Sequence, residues 1–122
     1  MSPDATVGIV LVSHSAPLAE GAAELAAQIS GGTVAIIPAG GTDDGGLGTS
    51  AAKVQRAVKL ADSGAGVVII PDLGSAVLTV RALLADAPFV EGVVAATVAA
   101  AAGGDITAVL AAAEEARHAR KL

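Results

Sequence analysis

The chain of 122 residues has no cysteine, tryptophan or tyrosine and one phenylalanine, Phe89. Without cysteine there are no disulfides, no thiolate chemistry and no cysteine-ligated zinc. With Phe89 as its only aromatic ring, the core must be packed from Ala, Val, Leu and Ile, small side chains that let helices lie close to a sheet. Basic residues are scarce: 7 Lys and Arg stand against 12 Asp and Glu, a net charge of -5 and a pI near 4.7. Phosphate backbones are held by clustered Lys and Arg, so nucleic acid is not an expected partner. Long apolar runs are missing too. Apolar residues reach 53% and mean hydropathy is +0.70, yet Ser, His, Gly, Asp or Glu breaks each run short of the roughly 20 residues of a membrane span. The opening "MSPDA" carries Asp4 where a secretory signal has basic residues. A cytoplasmic location with no membrane partner is the expectation. The length fits one domain over residues 1–122, burying roughly two thirds of the extended chain's surface.

What is present is a rhythm of strands and helices. "TVGIVLV" at 6–12, "TVAIIP" at 33–38 and "GVVIIP" at 66–71 are short, β-branched and almost wholly apolar, as parallel strands covered on both faces are. Between the first two, Pro17 opens a helix in which Leu18, Ala22, Leu25 and Ile29 recur at helical spacing. Thr49 or Ser50 caps a second helix with Ala51, Val54, Val58 and Leu60 or Ala61 on its apolar side. Ser75 is read as the cap of a third, "AVLTVRALLAD". Strands alternating with amphipathic helices predict an α/β, doubly wound, mainly parallel sheet with right-handed crossovers and helices on both faces. The fourth strand is in doubt: "APFVEG" offers only Phe89 and Val90 as strand material. "VVAATVAAAA" follows, then a break at Gly103–Gly104 and a last helix from Asp105, with Arg117, Arg120 and Lys121 at its C-terminal end.

Ligands of such sheets bind beyond the carboxyl ends of the strands, where strand order reverses. The first strand ends in Ser13-His14-Ser15, the second in a Gly-rich loop holding Asp43 and Asp44, and the third in Pro71-Asp72-Leu73-Gly74-Ser75. If the first and third strands are neighbours, His14 and Asp72 face each other. A carboxylate that accepts from one ring nitrogen fixes the tautomer and makes the other nitrogen a nucleophile. By position alone, a satisfied strand-end histidine stands as an equal alternative. No G-x-S-x-G elbow supports a serine nucleophile at Ser13 or Ser15. The second histidine, His118, is far away in sequence and reads as solvated, so neither a metal nor another cofactor is expected. Backbone amides at Gly74 and Ser75, at a helix start, suit a phosphoryl group; "GLGTS" at 46–50 reads either as a second such set or as an ordinary loop and cap. Without a P-loop lysine or a G-x-G-x-x-G turn, the chain is not expected to hold a nucleotide unaided.

The segments "VGIVLVSHSAPLAEGAAELAAQI", "GTDDGGLGTSAAKVQRAV", "VVIIPDLGSAVLTVRALL" and "APFVEGVVAATVAAAAGGD" together resemble the mannose-type enzyme IIA domain. More narrowly, they resemble its branch that serves as phosphoryl-donor subunit of phosphoenolpyruvate-dependent dihydroxyacetone kinase. The resemblance covers nearly the whole chain. It implies that His14 accepts a phosphoryl group from the phosphocarrier HPr and passes it to ADP on a separate kinase subunit. It also implies that Asp72 orients the ring, that Ser15, Gly74 and Ser75 bind the phosphoryl group, and that the domain is a homodimer. Leu18, Leu47 and Leu73 are candidates for an apolar rim where partners dock, or for core. Between "RALLAD" and "APFVEG" the family has a further stretch with the fourth strand, nearly absent here. A sugar-importing enzyme IIA and a non-enzymatic regulatory module are the competing readings.

Overall fold

In the computed structural model, which describes residues 5–73 and 83–120, the three β-branched runs pair as parallel strands. They are β1 (Gly8–Ser13), β2 (Ile36–Gly40) and β3 (Val67–Pro71). Four helices accompany them among the described residues: α1 (Ala16–Ser30), α2 (Ala51–Ala61), α3 (Phe89–Ala101) and α4 (Ile106–Glu115). A two-residue strand, β4 (Leu83–Leu84), completes the sheet in the order β2-β1-β3-β4.

The order explains the layers. The chain leaves β1 for β2 on one side and then crosses back to β3 on the other. Right-handed crossovers in opposite directions put their helices on opposite faces. Strand alternation follows suit. Ile9, Leu11, Val68 and Ile70 pack with Ala22, Ala23 and Ala26 of α1, Val93 and Ala96 of α3 and Val109 of α4. Val10, Val12, Val67 and Ile69 face the other way, onto Val54, Ala57 and Ala61 of α2. Each fully buried Val or Ile contributes roughly 1.5–3 kcal/mol relative to exposure, so the central strands are the main hydrophobic store. The helix starts obey local chemistry: Ser15, Ser50 and Asp105 each accept a first-turn amide with their side chains.

Three expectations are corrected. Of the stripe read on α1 only Ala22 is buried; Leu18, Leu25 and Ile29 each stay about two-fifths exposed, and Ala19, Ala23 and Ala26 are buried in their place. Apolar spacing in an alanine-rich helix is satisfied by two stripes, and the narrower side chains allow the closer approach. The helix read from Ser75 through Asp86 does not run to its end. Leu83 and Leu84 are strand, pairing with Val68 and Ile69, and the earlier part lies outside the described residues. The fourth strand therefore exists, drawn from "RALLAD" rather than "APFVEG". Phe89 and Val90 open α3 instead. The last helix divides into α4 and a 3-10 turn over Ala116–His118.

Candidate functional site

Strand order reverses between β1 and β3, and this places the ends of those two strands side by side. Asp72 follows Pro71 and is tied down by its own N–H, which donates to Val12 O at 2.9 Å. Ser13 and His14 close β1 directly opposite. His14 Nδ1 and Asp72 Oδ1 are 3.1 Å apart. The ring keeps 31% of its side-chain surface exposed, the carboxylate only 12%. A ring in that state can be reached by another molecule, while the acid beside it is largely withdrawn from water.

The carboxylate is saturated with donors. Asp72 Oδ2 accepts from Ser13 Oγ at 2.8 Å and from the His14 N–H at 3.1 Å, and Oδ1 accepts from the Leu73 N–H at 2.7 Å. Burial disfavours its charge, but the hydrogen bonds from Ser13, His14 and Leu73 outweigh that penalty and hold the carboxyl below the usual aspartate value. Asp72 is thus a fixed anion beside the ring, suited to accepting Nδ1–H and to balancing an imidazolium.

The neighbouring loops are fitted to this corner. Gly40, at the end of β2, lies so near α1 that an added Cβ would stand 2.7 Å from both Ala16 Cα and Ser15 O. Gly48 donates its N–H to His14 O at 2.9 Å and needs φ 136° to do so, a conformation that glycine adopts readily. Asp44, in the same loop, is held below the usual aspartate value by the Thr42 hydroxyl and the Gly46 amide. On the other flank, a cavity of about 300 Å³ bordered by Pro71, Asp72, Leu73 and Leu84 opens beyond the sheet.

The structure brings His14 and Asp72 together. Ser15 sits beside them as cap of α1, its Oγ accepting the Leu18 N–H at 3.4 Å. Gly74 and Ser75 lie outside the described residues. Leu18, Leu47 and Leu73 are exposed by 43%, 83% and 60%, which makes them surface rather than core. Asp43 turns away to accept from Ser50. Among the described residues no group of three His, Asp or Glu side chains is arranged to hold a metal ion, and no helix is long and apolar enough to cross a membrane. The site residue that sequence reasoning passed over is Ser13. Its signal was a hydroxyl ending an otherwise apolar strand, where burial demands a partner.

This fold and this corner define a phosphotransferase-system IIA domain. The chain matches the mannose-type enzyme IIA family, EIIA-man, described as the PTS system fructose IIA component, over residues 8–110, and it belongs to that family. It is 35% identical over 131 residues to the "PEP-dependent dihydroxyacetone kinase, phosphoryl donor subunit DhaM" of Providencia stuartii, covering 94% of this chain and 28% of that protein. To the DhaM of Escherichia coli K12 it is 38% identical over 120 residues, 85% of this chain and 25% of the other. The chain therefore spans about a quarter of those two relatives. "PEP-dependent dihydroxyacetone kinase 2, phosphoryl donor subunit DhaM" of Listeria innocua is covered over 84% of its length, at 37% identity and 75% of this chain. Among solved structures, the crystal structure of a protein of unknown function, EF1359, superposes with a TM-score of 0.75 at 34% identity, covering 90% of this chain and 94% of that one.

Proposed function

We propose that the chain is a single phosphohistidine-transfer domain serving a phosphoenolpyruvate-dependent dihydroxyacetone kinase. His14 takes a phosphoryl group from phospho-HPr and delivers it to ADP bound on the kinase subunit. The observation that carries the reading is the His14 Nδ1–Asp72 Oδ1 pair at 3.1 Å, at the reversal of strand order on a partly exposed ring. With Nδ1–H given to Asp72, the ring's lone pair is at Nε2. That pair attacks phosphorus, the donor's P–N bond breaks, and its electrons return to the donor nitrogen. In the second half-reaction an oxygen of the ADP terminal phosphate attacks, and the Nε2–P bond breaks in turn. Such transfers pass through a loose transition state with little covalent work for the protein, so positioning and electrostatics dominate. Ser15, with Gly74 and Ser75, is the proposed receiver of phosphoryl oxygens. Exposed Leu18, Leu47 and Leu73 are the proposed docking rim. A cytoplasmic homodimer is the proposed working form.

The family's description as a fructose IIA component favours a second reading, in which His14 feeds a IIB domain of a sugar importer. Purified chain is incubated with phospho-HPr and then with either acceptor. Acid-labile, base-stable phosphate absent from His14→Ala, and passed to the ADP-loaded kinase subunit, is expected. Transfer to IIB alone selects the importer, and no phosphate at all makes the chain a regulatory module.

A further inference from the structure

Ser13 is fully buried at the end of β1, and the transfer chemistry above gives it no part. Its hydroxyl is spent on two bonds. The O–H donates to Asp72 Oδ2 at 2.8 Å, and the oxygen accepts the Ser15 N–H at 3.0 Å. The residues on either side of His14 are thereby locked to each other, and one of them is locked to the acid that faces its ring. The backbone N–H groups of His14 and Leu73 also hold the Asp72 carboxylate, at 3.1 and 2.7 Å. Leu73, however, is the next residue in a loop and shares Oδ1 with the ring, so the side chain's last torsion, where the preference is broad, keeps some play without a further partner. A partner on Oδ2 that is itself immobilised in a strand limits which way Oδ1 points.

We propose that Ser13 is a positioning residue that selects the Nδ1–H tautomer of His14 by clamping the Asp72 carboxylate between β1 and the start of α1. The inference rests on the reading of His14 as phosphoryl acceptor, because tautomer choice matters only if Nε2 must be the nucleophile. In neutral imidazole one nitrogen carries the proton and the other the lone pair, and the hydrogen bond made by the first decides which. A carboxylate held by the two backbone amides alone would point Oδ1 at the ring less strictly and let part of the population place the proton on Nε2, and that part cannot attack.

The test is made on the full chain labelled with ¹⁵N-histidine, in alkaline solution where imidazole is neutral, with His118 as internal reference. Wild type should show His14 as the Nδ1–H tautomer. Ser13→Ala and Ser13→Cys should move its ring shifts toward the Nε2–H form and slow single-turnover phosphorylation by roughly 10- to 100-fold, the scale of a lost charge-assisted hydrogen bond at a reacting group. Ser13→Thr, which keeps the hydroxyl, should restore both. If Ser13→Ala does not fold, Ser13→Cys conserves the volume and gives the same reading. An unchanged Nδ1–H tautomer with rates within about twofold in folded Ser13→Cys overturns the proposal, as does a folded Ser13→Thr that behaves like Ser13→Ala. The two levels separate cleanly. A tautomer change in a chain whose His14 is never phosphorylated removes the transfer reading alone, whereas phosphorylated His14 with an unmoved tautomer removes the role of Ser13 alone.

Discussion

His14 and Asp72 are 58 positions apart in the chain and 3.1 Å apart between Nδ1 and Oδ1. The parallel pairing of β1 with β3 brings them there, since Val12 is in register with Pro71 and each strand overruns by a residue or two into the crevice. Sheet geometry, rather than a local motif, makes the pair.

Replacing Asp72 by Asn removes the anion and keeps the shape. Phosphoryl transfer to His14 should slow by roughly 10²- to 10⁴-fold, the range of a lost acid–base or orienting partner, while circular dichroism stays native. Single-turnover kinetics with phosphorylated carrier measure it, and an unchanged rate would remove Asp72 from its assigned role.

Acid should expose the same group through stability. The Asp72 carboxyl is held below its ordinary value of 3.8 in the folded state, so the native protein holds the proton less tightly than the unfolded chain. Its contribution is complete above the ordinary value and is lost as pH falls through the lower, folded one. Urea unfolding of wild type and Asp72→Asn should therefore differ by a constant amount, about 1–3 kcal/mol, above about pH 5. The gap should close in stronger acid. A gap that widened as the pH fell would contradict the hydrogen-bonded anion.

Gly40→Ala should disturb both fold and site. Its methyl group would be 2.7 Å from backbone atoms of Ser15 and Ala16, and backbone cannot swing aside as a side-chain tip can. A loss of about 1–3 kcal/mol, or a thermal midpoint lower by roughly 5–10 °C, is expected. Phosphorylation of His14 should decline with it, because the start of α1 carries the site. An unshifted midpoint would show that α1 yields at no cost.

Two substitutions on α1 should separate its faces. Leu25→Ala, at a position 44% exposed, should change stability by less than about 1 kcal/mol. Ala26→Leu, at a position with no exposure, should cost about 1–3 kcal/mol through overpacking. Chemical denaturation of both variants decides it, and the reverse order would return Leu25 to the core.

Much of this was legible in one dimension. β1, β2 and β3 announced themselves because burial on both faces demands unbroken β-branched runs, and Ser50 and Asp105 marked helix starts because orphan amides need side-chain acceptors nearby; the first helix was read from Pro17, and its cap is Ser15. Which side of α1 faces the sheet was not legible, since Leu and Ala stripes overlap at helical spacing and only closeness of approach chooses between them. β4 was hidden for a related reason: two leucines carry no period, and pairing with Val68 and Ile69 alone makes them a strand.

The amino-acid order by itself determined the class of fold, the helix starts at Ser50 and Asp105 and the presence of a histidine and an aspartate at strand ends, because those follow from local propensity and hydrophobic pattern. The tertiary structure alone decided that β1 adjoins β3, that Asp72 meets His14, and that the hydroxyl of Ser13 is committed to that carboxylate. Strand neighbours are chosen by packing across the whole sheet, and contacts between residues far apart in sequence exist only once that choice is made.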